Sequence, residues 1–184
     1  MWSCGQPSVP TGATAAPARS LIVGADMSSL LAVEAAGARF SQDGVRGDPL
    51  AILKRNGFNY IRLRLFHTPD RTMGLVNSLP YDVLLASRAK QAGFKLLLDL
   101  HYSDTWADPG KQSKPAAWAA LAFDQLRDSV FAYTRDVVAA LDAASAAPDM
   151  IQLGNEVNVG MLWPEGHADQ VDADWARLDR KSVV

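Results

Sequence analysis

The chain has 184 residues, of which 48% are hydrophobic and 21% charged, enough to bury the core of one ordinary domain. Its 18 Lys and Arg nearly balance 20 Asp and Glu, and a formal charge of -2 argues against an electrostatic nucleic-acid binder. One cysteine makes no intrachain disulfide, no apolar run reaches the ~20 residues of a transmembrane helix, and His67, His101 and His167 lack metal-ligand spacing.

Residues 1–20 are rich in Pro, Gly, Ser, Thr and Ala, a composition that reads as a disordered leader or linker. Cys4-Gly5 followed by polar residues fits either a bacterial lipoprotein just past its lipidated cysteine or a free cysteine in a tail. The partial catalytic domain is expected over residues 21–184. A first buried strand is predicted at 21–25, closed by polar Asp26. Asp48-Pro49 then opens a helix, with Asp as cap and Pro at the first helical position, and Asn56-Gly57 ends it. A strand follows at 58–66, and a helix from about 81 to 92 stops at Gly93. The third strand covers 95–101. A long loop carries Tyr102, Asp104, Trp106 and Asp108.

A long helix is predicted from 123 to 144, because Phe123, Leu126, Val130, Phe131, Val137, Val138 and Leu141 recur on one face. The fourth strand, 150–154, runs into Asn155-Glu156. A loop with Trp163-Pro164 precedes a last helix starting near Asp169. Strand and helix alternate throughout, which specifies an α/β fold with a parallel sheet. An open doubly wound sheet and a (β/α)8 TIM barrel both satisfy that order. No Gly-rich phosphate loop follows the first strand, which weakens the nucleotide-binding alternative. Asp26, Arg64, His101 and Glu156 each lie just past a strand, where a barrel gathers its catalytic face. A complete barrel takes ~250 residues and eight strands. Four strands are the N-terminal half of one.

Four segments then resemble a known family. Gly-Ala-Asp-Met-Ser-Ser (24–29), Tyr-Ile-Arg-Leu-Arg-Leu (60–65), Asp-Leu-His-Tyr-Ser-Asp-Thr-Trp-Ala-Asp-Pro (99–109) and Gly-Asn-Glu with Gly-Met-Leu-Trp-Pro (154–164) look like glycoside hydrolase family 53 of clan A. Its members are the endo-β-1,4-galactanases, which cut galactan side chains of pectin. The resemblance runs in order over residues 21–167, whereas Arg-Lys-Ser-Val-Val (180–184) resembles nothing in the family.

The resemblance implies a retaining mechanism with two glutamates about 5–5.5 Å apart. By position Glu156 matches the general acid/base. The nucleophile of the family ends the seventh strand, beyond anything in this sequence. Asn155 matches the residue that binds the sugar hydroxyl next to the anomeric carbon. Arg62 and Arg64 are two apart on one strand and share a face; the analogy makes Arg64 a partner of the nucleophile carboxylate. It also places His101 in the active site. Trp106 and Trp163 are candidate sugar platforms, and Asp26 is the preferred hydroxyl-binding carboxylate over Asp104 and Asp108. Trp118 and Trp175 read as packing residues.

The partner so implied is a polysaccharide, β-1,4-galactan or arabinogalactan, met outside the cell as a secreted or lipid-anchored protein. No organic cofactor is implied, and no metal in these residues. Another clan A hydrolase and a non-catalytic galactan-binding half barrel are the rival readings. Open sheet edges and a half-exposed apolar interior are further expected, and with them self-association.

Overall fold

A computed structural model describes residues 21–71 and 74–168; Cys4, Trp175 and the helix expected from Asp169 lie outside the described residues. The elements in chain order are β1 (Gly24–Asp26), α1 (Leu30–Ala35), β2 (Ser41–Gln42), β3 (Val45–Arg46), α2 (Pro49–Arg55), β4 (Tyr60–Leu65), α3 (Leu79–Gln91), β5 (Lys95–Leu100), α4 (Phe123–Ala143) and β6 (Met150–Leu153). The main sheet is parallel and ordered β1-β4-β5-β6, each strand beside its predecessor in that sheet. Nowhere does the order reverse, as it would at the switch point of a doubly wound sheet. Consecutive parallel strands joined by helices are the winding of a barrel.

Local chemistry explains the element ends. The Asp48 carboxylate accepts the Ala51 N–H at 2.9 Å and Pro49 occupies the first position of α2. Gly57 and Gly93, at φ of +85° and +78°, turn the chain out of α2 and α3. Along α4, Leu126, Val130, Thr134, Val137 and Leu141 are buried at helical spacing. Thr134 is tolerated there because its hydroxyl meets the Val130 carbonyl and the Tyr102 hydroxyl, both at 2.8 Å.

Three local features differ from the sequence expectation. The first strand begins at Gly24, not Leu21. The Asn59 side chain takes the Leu21 carbonyl and the Val23 N–H, so these groups never join the ladder. Helix α3 starts at Leu79, since Pro80 is accommodated in a first turn. The stretch between β1 and α2, for which no element was expected, holds α1 and the hairpin β2–β3. That hairpin turns on Asp43-Gly44, both at positive φ, the pattern that favours two-residue hairpin loops.

Alternation along the strands separates two faces. Ile61, Leu63 and Leu65 on β4 and Leu96, Leu98 and Leu100 on β5 are all at most 2% exposed and join the helix-side core. Burying each such side chain contributes about 1.5–3 kcal/mol. Helix α3 packs on β4, β5 and α4. The other face carries Tyr60, Arg62, Arg64, Leu97, Asp99 and Gln152 in register. This corrects the expected apolar interior: the inward face is mostly charged and polar, because arginine and aspartate alternate there with the core leucines. No helix among the described residues is long and apolar enough to cross a membrane.

Candidate active site

The sheet delivers Asp26, Arg64, His101 and Glu156 to the same edge, the C-terminal ends of β1, β4, β5 and β6. The turn after β6 is shaped by backbone. Gly154 lies at φ +77°, and a Cβ there would sit 2.5 Å from Val157 Cγ1. Glu156 follows at φ +51°, a sparsely populated region for a side chain with a Cβ. Asn155, between them, is 4% exposed. Gln112, itself buried, donates to the Asn155 carbonyl at 2.7 Å, and Gln152 donates to the Gly154 carbonyl at 3.0 Å. The Glu156 side chain is exposed and has no hydrogen bond or ion pair among the described residues.

The Asn155 amide is held at both ends. Its Oδ1 accepts from Arg62 Nη2 at 3.0 Å, and its Nδ2 donates to the Ala107 carbonyl at 2.7 Å. Arg62 also reaches Asp26 Oδ2 and Asp99 Oδ2, each at 2.5 Å. One guanidinium therefore ties the ends of β1, β5 and β6 together. Its planar fork of five donors suits this task; a lysine ammonium would not match it.

His101 is 1% exposed, and its Nε2 lies 3.2 Å from Asp99 Oδ2. The Ala107 N–H donates to Nδ1 at 3.4 Å, and Nε2 makes no hydrogen bond among the described residues. Trp106 packs beside His101, with ring centroids 5.2 Å apart, and the Arg64 guanidinium lies 5.0 Å from the Trp106 centroid. Arg64 Nε further donates to Ser28 Oγ at 3.1 Å and approaches Asp26 Oδ2 at 3.1 Å. Burial pushes the Asp26 carboxyl up. Hydrogen bonds from Ser28 and the Arg64 and Arg62 guanidiniums outweigh it and hold the group below the usual aspartate range.

Asp26, Arg64, His101, Trp106, Asn155 and Glu156 therefore share one strand-end region, and the first five are joined by contacts running through Arg62 and Asp99. Trp163 is tied to them through its backbone, whose N–H donates at 2.8 Å to the carbonyl of Gln112, the residue that holds the Asn155 carbonyl. Its ring lies 4.5 Å from His167, and its indole N–H donates to the Val159 carbonyl at 3.3 Å. Asp104 and Asp108 fasten loops: Asp104 accepts the Thr68 and Ala116 N–H groups, and Asp108 the Gly110 N–H. Trp118 is 6% exposed and packs edge-on against His67 and Tyr133. Sequence reasoning missed Asp99 and Gln112. An acid among the leucines of 95–100 was the available signal for Asp99; nothing local marks Gln112.

The family model for glycosyl hydrolase family 53 matches residues 22–181. The chain belongs to that family. A probable arabinogalactan endo-β-1,4-galactanase A of Aspergillus terreus is 43% identical over 147 residues, covering 79% of this chain and 41% of the relative. An arabinogalactan endo-β-1,4-galactanase of Thermothelomyces thermophilus is 38% identical over 158 residues, covering 85% and 45%. The solved family 53 catalytic domain of Ignisphaera aggregans superposes with a TM-score of 0.83 at 38% identity, covering 91% of this chain and 48% of that one. This chain spans about half the length of the relatives it matches. Its four parallel strands with their helices are thus part of the (β/α)8 barrel of family 53, and the strand-end cluster lies where that fold places catalysis.

Proposed function

We propose that this chain is the acid/base half of a retaining endo-β-1,4-galactanase. The observation that carries the reading is the turn after β6. There Glu156 stands free beside an Asn155 amide clamped by Arg62 and Ala107, in a chain of family 53. In this scheme Glu156 protonates the glycosidic oxygen as the sugar–oxygen bond breaks. A second glutamate, carried on the seventh strand of the complete barrel, attacks the anomeric carbon and forms a covalent glycosyl-enzyme. Glu156 then takes a proton from water, which releases the sugar.

Asn155 Nδ2 has a second N–H beyond the one given to Ala107, and we assign it to the hydroxyl next to the anomeric carbon. Arg64, held by Asp26 and Ser28, is assigned to the nucleophile carboxylate. Trp106 supports a sugar ring. Trp163 is kept as a second platform only if loops of the other half bring substrate to it. Polysaccharide cannot cross a membrane, so the reading places the protein outside the cell, secreted or anchored through Cys4 at a bacterial surface.

The test is Glu156→Ala in the protein extended through its seventh-strand glutamate. Galactan hydrolysis should fall about 10²–10⁴-fold. An aryl β-galactoside with an acidic phenol leaving group should suffer much less in bond cleavage, since that oxygen leaves without a proton. An unchanged rate on galactan would sink the assignment. If the coding DNA shows no such glutamate, the non-catalytic galactan-binding reading replaces it.

A further inference from the structure

A set of buried polar groups adjoins the strand-end cluster, and the proposed scheme does not use it. Ser28 and Asp82 are 0% exposed and Asn77 is 3% exposed. They come from three segments: the turn after β1, the loop before α3 and the first turn of α3. The Asp82 Oδ2 atom is buried without a hydrogen-bond partner. An orphaned carboxyl oxygen costs stability, and departures of this kind gather at functional sites.

Hydrogen bonds run from that carboxyl to the catalytic edge without a break. Asn77 Nδ2 donates to Asp82 Oδ1 at 3.2 Å and to the Ser28 carbonyl at 2.7 Å. Both protons of the amide are thereby committed, and it cannot turn over without losing both acceptors. The Asn77 backbone carbonyl accepts the N–H of Phe66, the residue after β4, at 3.0 Å. Ser28 Oγ accepts twice from Arg64, from the backbone N–H at 2.9 Å and from Nε at 3.1 Å. A hydroxyl has two acceptor sites, so its own proton is left for the Asp26 carboxylate. The Ser28 N–H goes to Asp26 Oδ1 at 3.0 Å.

We propose that Asp82 is a positioning residue, which through Asn77 and Ser28 fixes the angle at which Arg64 faces the nucleophile carboxylate. The inference rests on the role assigned to Arg64 above and deepens it. Asp26 also pairs with Arg64, but its side chain is 32% exposed, and an ion pair is less directional than a hydrogen bond. Ser28 is buried and meets both the backbone and the side chain of Arg64 with a single oxygen. A shift of Ser28 therefore turns the guanidinium. Asn77 holds the Ser28 carbonyl, and Asp82 holds Asn77.

The test follows the Arg64 Nε–H by NMR in the isotope-labelled 184-residue chain. Asp82→Leu keeps the branched shape but accepts no hydrogen bond. It should speed exchange of that proton with water about tenfold, the worth of one hydrogen bond. Asp82→Asn keeps an acceptor for Asn77 and should exchange at the wild-type rate. Leu141→Ala empties space on α4, beside Leu96 near the start of β5. It should lower the denaturant midpoint without moving the Arg64 signal. Equal acceleration in all three variants, or in none, would overturn the proposal.

A second measurement decides the matter even where Asp82→Leu does not fold. Burial pushes the Asp82 carboxyl well above the usual aspartate range, against the bond from Asn77 and the pull of Arg64. The charged and titratable groups around it are Arg64 on β4, Asp26 on β1, Tyr81 on α3 and Tyr133 on α4. An arginine keeps its charge, Asp26 is held below the usual range, and burial raises both tyrosines. Of these groups only Asp82 can change charge between pH 5 and pH 8. The Arg64 Nε resonance should therefore move over that range in wild type and hold still in Asp82→Asn. Identical profiles would overturn the proposal.

Galactan hydrolysis is read separately, in the protein extended through its seventh-strand glutamate. Asp82→Leu should lower kcat about 10–100-fold with KM unchanged, and Asp82→Asn should restore it. An unchanged kcat in Asp82→Leu would overturn the positioning role and leave the galactan reading standing. No hydrolysis by the extended wild type would overturn that reading, and with it the catalytic meaning of Asp82.

Discussion

Arg62 joins Asp26, Asp99 and Asn155, residues 36, 37 and 93 positions away in the chain. Its Asp99 partner is fully buried, and the arginine's own side chain is about a quarter exposed. Removing one partner of such a pair leaves a buried charge that water cannot reach, which costs more than the pair itself contributes. Arg62→Lys should therefore destabilise the chain by about 2–4 kcal/mol, since one ammonium cannot serve all three acceptors in that geometry. It should also release the Asn155 amide, read as a lost protection of its side-chain protons in NMR. A variant with wild-type denaturant midpoint would contradict the hub. Gly154 makes a second residue-scale case. Alanine there meets Val157 Cγ1 at 2.5 Å and must hold φ near +77°. Gly154→Ala should cost about 1–3 kcal/mol and move the Glu156 turn, measurable as a lower denaturant midpoint. A neutral or stabilising result would show that the turn can relax.

Helix α3 carries a price on its buried face. Asp82, in its first turn, is 0% exposed; Oδ1 takes the Asn77 amide at 3.2 Å, and Oδ2 has no partner. Burial pushes this carboxyl well above the usual range, against the hydrogen bond from Asn77 and the pull of Arg64. With the folded pKa raised above the unfolded one, the native state holds the proton longer than the unfolded chain does. The contribution to stability is then full below the unfolded value near 3.8 and is lost as pH rises through the folded pKa. Asp82→Asn should thus melt higher than wild type at pH 8, with the gap closing toward pH 4; an equal gap at both would refute the buried acid. At this same scale the sequence was largely readable. Asp48-Pro49 and Asn56-Gly57 bracket α2, the leucine spacing marks α4, and the alternation at 60–65 puts Arg62 and Arg64 on one face. The Asp43-Gly44 hairpin was equally readable but overlooked. The roles of Arg62, Asp99, Gln112 and Asp104 were not, because each is defined by partners brought together only by the sheet.

Across the whole molecule the described sheet has two open edges, β1 and β6, and an inward face of arginine, aspartate and glutamine in place of the apolar patch expected from sequence. Hydrophobic capture alone then gives little drive for association. Unpaired parallel edges remain, and they are templates for another strand. Two copies supply eight strands, the number that closes a barrel, with β6 of each beside β1 of the other. The 184-residue chain is thus expected to self-associate, with a melting temperature that rises with protein concentration. Sedimentation across a hundredfold concentration range checks it, and a monomer with a sharp, concentration-independent transition would refute it. Closure in this way does not complete the catalytic pair. Going round the barrel, the seventh place falls to a second β5, which leads into His101, not to a strand ending in glutamate. Sustained release of galacto-oligosaccharides by the pure chain would require another carboxylate among residues 1–184 to reach the anomeric carbon, and would overturn the two-glutamate scheme for this half.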